Sequence, residues 1–197
     1  MNASTNDAIA LARKNKESSV KALVDLVQIP SLTGEEGDAQ DHLASVLRDA
    51  GAEVDMQEPD ISALFETFPH IAQYPTHWQH DLILPYSDLP NYKSLRNSGL
   101  EDVLNYDQRP NIVASFKGSG GGRSLILNGH IDTVTIEPKH EWTRDPFGAE
   151  IDGGLLYGRG SSDMKGGLMA GLLAIRYLRE AGVPIRGDVI VESVVNE

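Results

Sequence analysis

The sequence contains no cysteine. That absence removes disulfides, cysteine zinc sites and thiol nucleophiles together. Positive charge is scarce as well: 17 Lys and Arg stand against 29 Asp and Glu, a formal net charge of −12. Nucleic acid and anionic membrane both reward basic surfaces, so neither is expected as a partner. The carboxylate excess fits cation binding and fits solubility alone equally well. No apolar run approaches the roughly 20 residues of a membrane-spanning helix. The polar start, Met1 to Asp7, is not followed by a signal-peptide apolar segment, so a cytoplasmic location is expected. What is present is ordinary globular composition, 40% hydrophobic over 197 residues, enough for one good core and room for a second small unit.

Apolar positions recur at helical spacing from about Asp7 to Gln28, and Pro30 ends that helix. Ser31 to Gly37 is a loop centred on Thr33-Gly34-Glu35-Glu36. A second helix runs from about Asp38 to Ala50 and stops at Gly51, and Ala52 to Met56 reads as a short strand. Residues 57–110 differ in kind: six of the ten prolines and most of the tyrosines fall there, with no long periodic element. A stretch of that length is an insertion near a site mouth or a variable surface excursion.

From Asn111 the pattern sharpens. Ile112 to Phe116 is a strand, Gly118 to Gly122 a tight turn, and Ser124 to Leu127 a continuous apolar strand expected in the buried middle of a sheet. Because the glycine-rich turn joins two strands and opens no helix, it is not a dinucleotide fingerprint. Asp152-Gly153-Gly154 between two short apolar runs signals a hairpin. Asp163 to Glu180 is a helix ended by Gly182 and Pro184, and Val189 to Val195 is another buried strand. Strands alternating with helices predict an α/β fold.

Three strand-end stretches carry the candidate chemistry. His130 and Asp132 sit two apart after an apolar strand, so in extended backbone they face one side. His130 as a metal ligand with Asp132 holding its other ring nitrogen is one reading; a satisfied structural histidine is the other. Asp163 is either a ligand after a flexible turn or the N-cap of the following helix. Gly166-Gly167 at that helix start costs stability, which argues for close packing or close ligand approach. Glu197 ends the last strand as a ligand, a general base or a solvated residue. Ligand sites in α/β sheets lie outside the carboxyl ends of the strands, where all three stretches fall.

These residues match a known pattern. Leu127-Asn-Gly-His130-Ile-Asp132-Thr-Val134 resembles the first signature of the dinuclear zinc aminoacylase and carboxypeptidase superfamily, peptidase family M20. That group includes acetylornithine deacetylase and succinyl-diaminopimelate desuccinylase. Trp142 to Gly148 resembles its linking segment, and Tyr157-Gly-Arg-Gly-Ser-Ser-Asp163-Met-Lys165-Gly-Gly167 its second signature. Val194-Val195-Asn196-Glu197 resembles the start of the third, which usually reads Glu-Glu.

The resemblance implies a three-layer, zinc-peptidase-like catalytic domain with a mixed, mostly parallel sheet. It implies that His130 binds one zinc, that Asp163 bridges two, that Asp132 orients His130 and that Glu197 is the general base. Two Zn2+ ions fill a complete site, and Co2+ or Mn2+ can replace them at mixed O/N ligands. It also implies a cis peptide at Asp163-Met164. The implied activity is hydrolysis of the amide bond of an N-acyl amino acid or related N-acyl amine. The alternatives are a metallo-carboxypeptidase or dipeptidase of the same superfamily, or an inactive fragment that keeps only the scaffold. The Pro/Tyr-rich insertion is similar to the acetylornithine deacetylase-like branch, which favours a deacylase.

The family's further acidic ligands, its C-terminal histidine ligand and its dimerisation and lid domain have no match among these residues. The chain therefore reads as the N-terminal part of a catalytic domain, incomplete at the C-terminus, from a parent expected to be a homodimer. The terminal strand is expected to leave an open sheet edge. The predicted behaviour of the 197-residue chain alone is weak zinc binding and no turnover. Zinc titration and an amidohydrolase assay check this, and turnover dependent on Glu197 overturns it.

Overall fold

The structure, a computed structural model, describes residues 4–68 and 106–195. Two helices open it, α1 (Thr5–Lys14) and α2 (Lys16–Val27), followed by α3 (Gly37–Asp49). Strand β1 (Glu53–Gln57) and a short helix α4 (Ile61–Thr67) precede β2 (Asn111–Phe116) and β3 (Leu125–His130). A hairpin, β4 (Glu150–Asp152) and β5 (Leu155–Tyr157), leads to the long helix α5 (Lys165–Glu180) and to β6 (Val189–Val194). Most of the Pro/Tyr-rich stretch lies outside the described residues. No helix among the described residues is long and apolar enough to cross a membrane.

Where one N-terminal helix is expected, two are present. Asn15 interrupts the run with φ −99° and ψ 21°, while its side chain donates to the Leu11 carbonyl. Its own carbonyl accepts from the Ser18 and Ser19 hydroxyls. Local side-chain bonds of this kind compete with helix continuation. The hairpin turns on Gly153 and Gly154, both at positive φ, as a two-residue primed turn requires.

The main sheet runs β1-β2-β6-β3. Residues at alternate positions of β2 (Ile112, Ala114, Phe116) and of β6 (Val189, Val191, Ser193) are buried on one shared face. Apolar positions at helical spacing cover that face: Leu43 and Leu47 of α3, Leu26 of α2, and Leu168, Met169 and Leu172 of α5. Each large side chain so buried contributes about 1.5–3 kcal/mol relative to exposure. The opposite face is open among the described residues, with Ile126 55% exposed. The described residues thus form two of the three expected layers.

The α/β class and the mixed sheet are as expected, with two corrections. Among the described strands only the β3–β6 pairing is parallel; β1–β2 and β2–β6 are antiparallel. A parallel pair needs a long crossover, and the β3-to-β6 connection carries one through α5. The second correction concerns the edge. The apolar run Ser124–Leu127 is not mid-sheet: β3 is an edge among the described strands, with Leu125 53% exposed. The chain's last strand instead inserts between β2 and β3 and is central.

One buried ion pair ties the loop before α3 to the segment that enters β2. Arg109 donates to Glu36 through Nε (2.7 Å) and Nη2 (2.9 Å), and the Gly34 amide donates to the same carboxylate. Glu36 is fully buried, and the Arg109 guanidinium lies 4.3 Å above the Tyr106 ring. Removing one partner of such a pair strands the other charge, which costs about 3–5 kcal/mol. Arg109→Ala is therefore expected to lose that much stability in urea unfolding. The double change Glu36→Leu with Arg109→Met is expected to recover a large part of it; a double variant as unstable as the single one contradicts the charge-stranding account.

Candidate functional site

The parallel pairing of β3 with β6 sets their carboxyl ends side by side. His130 is the last residue of β3, paired with Val194, and the Ile131 amide donates to the Val194 carbonyl. Beyond β3 the chain stays extended through Thr133 and zips against the loop after α2. Thr133 N donates to Ser31 O (2.7 Å), Thr33 N to Thr133 O (3.3 Å), and Ser31 Oγ to Ile131 O (2.8 Å). Leu32 and Thr133 form an isolated parallel bridge. These bonds satisfy the backbone beyond the strand and bury Asp132 to 4% exposure.

Three of the four residues singled out in the sequence meet here. The His130 ring is buried, with Nδ1 3.0 Å from the Asp132 carbonyl and 3.3 Å from Asp132 Oδ1. Its Nε2 lies 3.1 Å from Asp163 Oδ1. The backbone carbonyl of Asp132 is therefore as close a partner as the carboxylate that sequence reasoning assigned to this nitrogen. Asp163 is not the helix cap: Met164 takes that position without a side-chain cap bond. The Asp163 carboxylate stands 84% exposed and faces the histidine instead. The Asp163–Met164 peptide is cis, as the resemblance implied. Glu197 lies outside the described residues.

His130, Asp132 and Asp163 line a cavity of about 170 Å³ closed by the turn Gly158–Ser162. Gly158 and Arg159 also line a neighbouring cavity of about 420 Å³, beside Trp142 and Tyr157. Arg159 lies 5.0 Å from the Trp142 ring. An imidazole nitrogen beside a carboxylate is a mixed donor set that suits zinc. Asp132 Oδ1 is buried without a hydrogen-bond partner, which marks unspent acceptor capacity at the same place. No group of three or more His, Asp or Glu able to hold an ion occurs among the described residues. The described donors thus fit part of a metal site.

Two supporting residues escaped the sequence reading. Lys165 is fully buried, and its ammonium donates to the Leu26 (3.2 Å) and Ile29 (2.6 Å) carbonyls. Burial pushes its pKa down to about 8. It ties the start of α5 to the end of α2. Thr33 donates its hydroxyl to Asp132 Oδ2 at 2.9 Å, across 99 residues of sequence. The only signal available for either was a lysine at a helix start and a threonine in a polar loop, and long-range contacts of this kind carry no local periodicity.

Residues 126–197 match the family model for peptidase family M20/M25/M40. An N-formyl-4-amino-5-aminomethyl-2-methylpyrimidine deformylase of Halalkalibacterium halodurans is 38% identical over 161 residues, 78% of this chain and 36% of that protein. Succinyl-diaminopimelate desuccinylase 2 of Ruegeria sp. is 47% identical over 83 residues, 42% of this chain and 20% of that protein. Human carnosine dipeptidase 1 shares the fold, with a TM-score of 0.67 at 19% identity, over 96% of this chain and 34% of that one. The chain therefore spans little more than a third of the length of such relatives at most.

The glycines at the start of α5 have separable reasons. A Cβ on Gly166 would sit 2.3 Å from the Ser161 carbonyl, inside the turn that closes the cavity, whereas one on Gly167 meets nothing nearer than the Met164 methyl at 3.4 Å. Gly166→Ala is expected to destabilise by about 1–3 kcal/mol through overpacking. Gly167→Ala is expected to be neutral or stabilising by up to about 1 kcal/mol through helix propensity. Thermal melting of both variants checks the contrast.

Proposed function

This chain belongs to peptidase family M20/M25/M40, and from that membership we propose that it supplies half of the active site of a metal-dependent amide hydrolase acting on small N-acyl amines. The observation that carries the reading is the convergence of His130 Nε2 and Asp163 Oδ1, 3.1 Å apart at a cavity mouth, with the imidazole's other nitrogen already engaged by Asp132. In this reading His130 and Asp163 hold zinc. Asp132 keeps Nδ1 protonated so that the Nε2 lone pair faces outward. Bound zinc supplies Lewis-acid polarisation of the scissile carbonyl and a lowered pKa for water. Glu197 takes the proton from the attacking water and returns it to the leaving amine.

A deacylase is favoured over a peptidase by the sequence relatives. A deformylase and desuccinylases, named for removing acyl groups from amines, match at 38–47% identity. The dipeptidase structures match at 17–19% identity and speak for the fold alone. The larger cavity beside Trp142 and Arg159 adjoins the site and offers room for the amine portion of such a substrate.

The test uses the complete gene product. Zinc content and acyl release from N-formyl, N-acetyl and N-succinyl amines, with dipeptides for comparison, are measured for the natural sequence and for Asp163→Ala and His130→Ala. Expected are hydrolysis of at least one N-acyl class over dipeptides, and loss of bound zinc with at least a thousandfold lower kcat in both variants. Unchanged zinc content in Asp163→Ala would sink the proposal.

A further inference from the structure

We propose that Thr33 is a positioning residue for His130, acting through Asp132, an inference that rests on the reading of His130 as a metal ligand. The terminal torsion of an aspartate is broad, so a buried carboxylate takes its orientation from its partners. Thr33 is such a partner. Its hydroxyl donates to Asp132 Oδ2 at 2.9 Å, and both residues are 4% exposed, out of reach of competing water. With Oδ2 held, Oδ1 is turned to within 3.3 Å of His130 Nδ1, alongside the Asp132 carbonyl at 3.0 Å. The Asp132 carbonyl as acceptor and the carboxylate charge beside it both favour the tautomer protonated at Nδ1. That tautomer leaves the Nε2 lone pair directed at the cavity, the form that ligates a metal.

The hydroxyl is delivered to this place by tertiary structure. Ser31 and Thr33 are bonded to Ile131 and Thr133 on either side of Asp132, so Thr33 cannot move without unzipping the strand end. Upstream, Lys165 grips the Leu26 and Ile29 carbonyls and fixes where the loop begins. A threonine that only stabilised its loop would need none of the geometry at the carboxylate.

The test is made on the complete gene product with Thr33→Val, which keeps the shape and removes the donor, and Thr33→Ser, which restores it. The ring nitrogens of His130 are read in the metal-free protein by long-range proton–nitrogen correlation at one mildly alkaline pH. Zinc affinity is read separately by competition with a chelating dye. Thr33→Val is expected to admit the Nε2-protonated tautomer and to weaken zinc binding about tenfold, the lower end of the range for groups behind a ligand. Thr33→Ser is expected to restore both to within about twofold. A folded Thr33→Val protein with an unchanged tautomer overturns the proposal. Should Thr33→Val fail to fold, the natural protein still decides: transfer to D2O is expected to shift the Asp132 carboxyl carbon resonance through the Thr33 hydrogen bond, and no shift overturns the role. A natural protein that binds no zinc while the tautomer responds to Thr33 overturns the metal reading and leaves the positioning intact.

Discussion

Strand β6 enters the sheet between β2 and β3, antiparallel to one and parallel to the other. Its backbone bonds to β3 are what bring the end of one strand level with the end of the next. His130 and Val194 sit opposite each other because Leu125 pairs with Val189 at the start of the ladder. A slip of one residue would turn every side chain of β3 to the other face. It would also remove His130 from Asp163. Helix α5, which supplies the crossover, starts two residues after Asp163 and packs over β3, where a Cβ on Gly129 would sit 2.7 Å from the Met164 methyl and 2.8 Å from Leu168. Strand pairing, crossover and helix packing thus converge on one spatial relation between two side chains.

Around that relation the polar interior is arranged in sequence. Lys165 spends a buried ammonium on the carbonyls at the end of α2. Desolvation of such a charge opposes folding, and the two carbonyl bonds offset part of it. The loop so anchored carries Ser31 and Thr33 to the strand end, where they pair with Ile131 and Asp132. The same loop closes with Glu36, whose buried pairing to Arg109 holds the start of α3 against the strand that neighbours β6. Apart from Lys165, the first residue of α5, the side chains in this series lie on connections between elements. The loops around the site are thus held by hydrogen bonds to one another and to the ends of the elements they join.

Local chemistry accounts for how much was legible beforehand. The hairpin was readable because Gly153-Gly154 meets the φ requirement of a two-residue turn. Helix α3 was readable from the spacing of Leu43 and Leu47, and β2 from Ile112 to Phe116. The division at Asn15 was missed because apolar spacing continues across it, while the interruption comes from side-chain bonds of Asn15 and two serines. The edge position of β3 was missed because a continuous apolar run has the same appearance whether it has one neighbour or two.

The sequence by itself determined which groups are available: a histidine two residues from an aspartate at a strand end, an aspartate after a glycine-rich turn, and no thiol to compete with them. It determined the element types too, since periodicity and turn residues are properties of neighbours along the chain. Tertiary structure alone decided that Asp163 faces His130 instead of capping a helix. It alone decided that Thr33 reaches Asp132 and that Lys165 holds the end of α2. Those outcomes depend on strand register and crossover packing, which join residues tens to more than a hundred positions apart, and no local pattern encodes such distances.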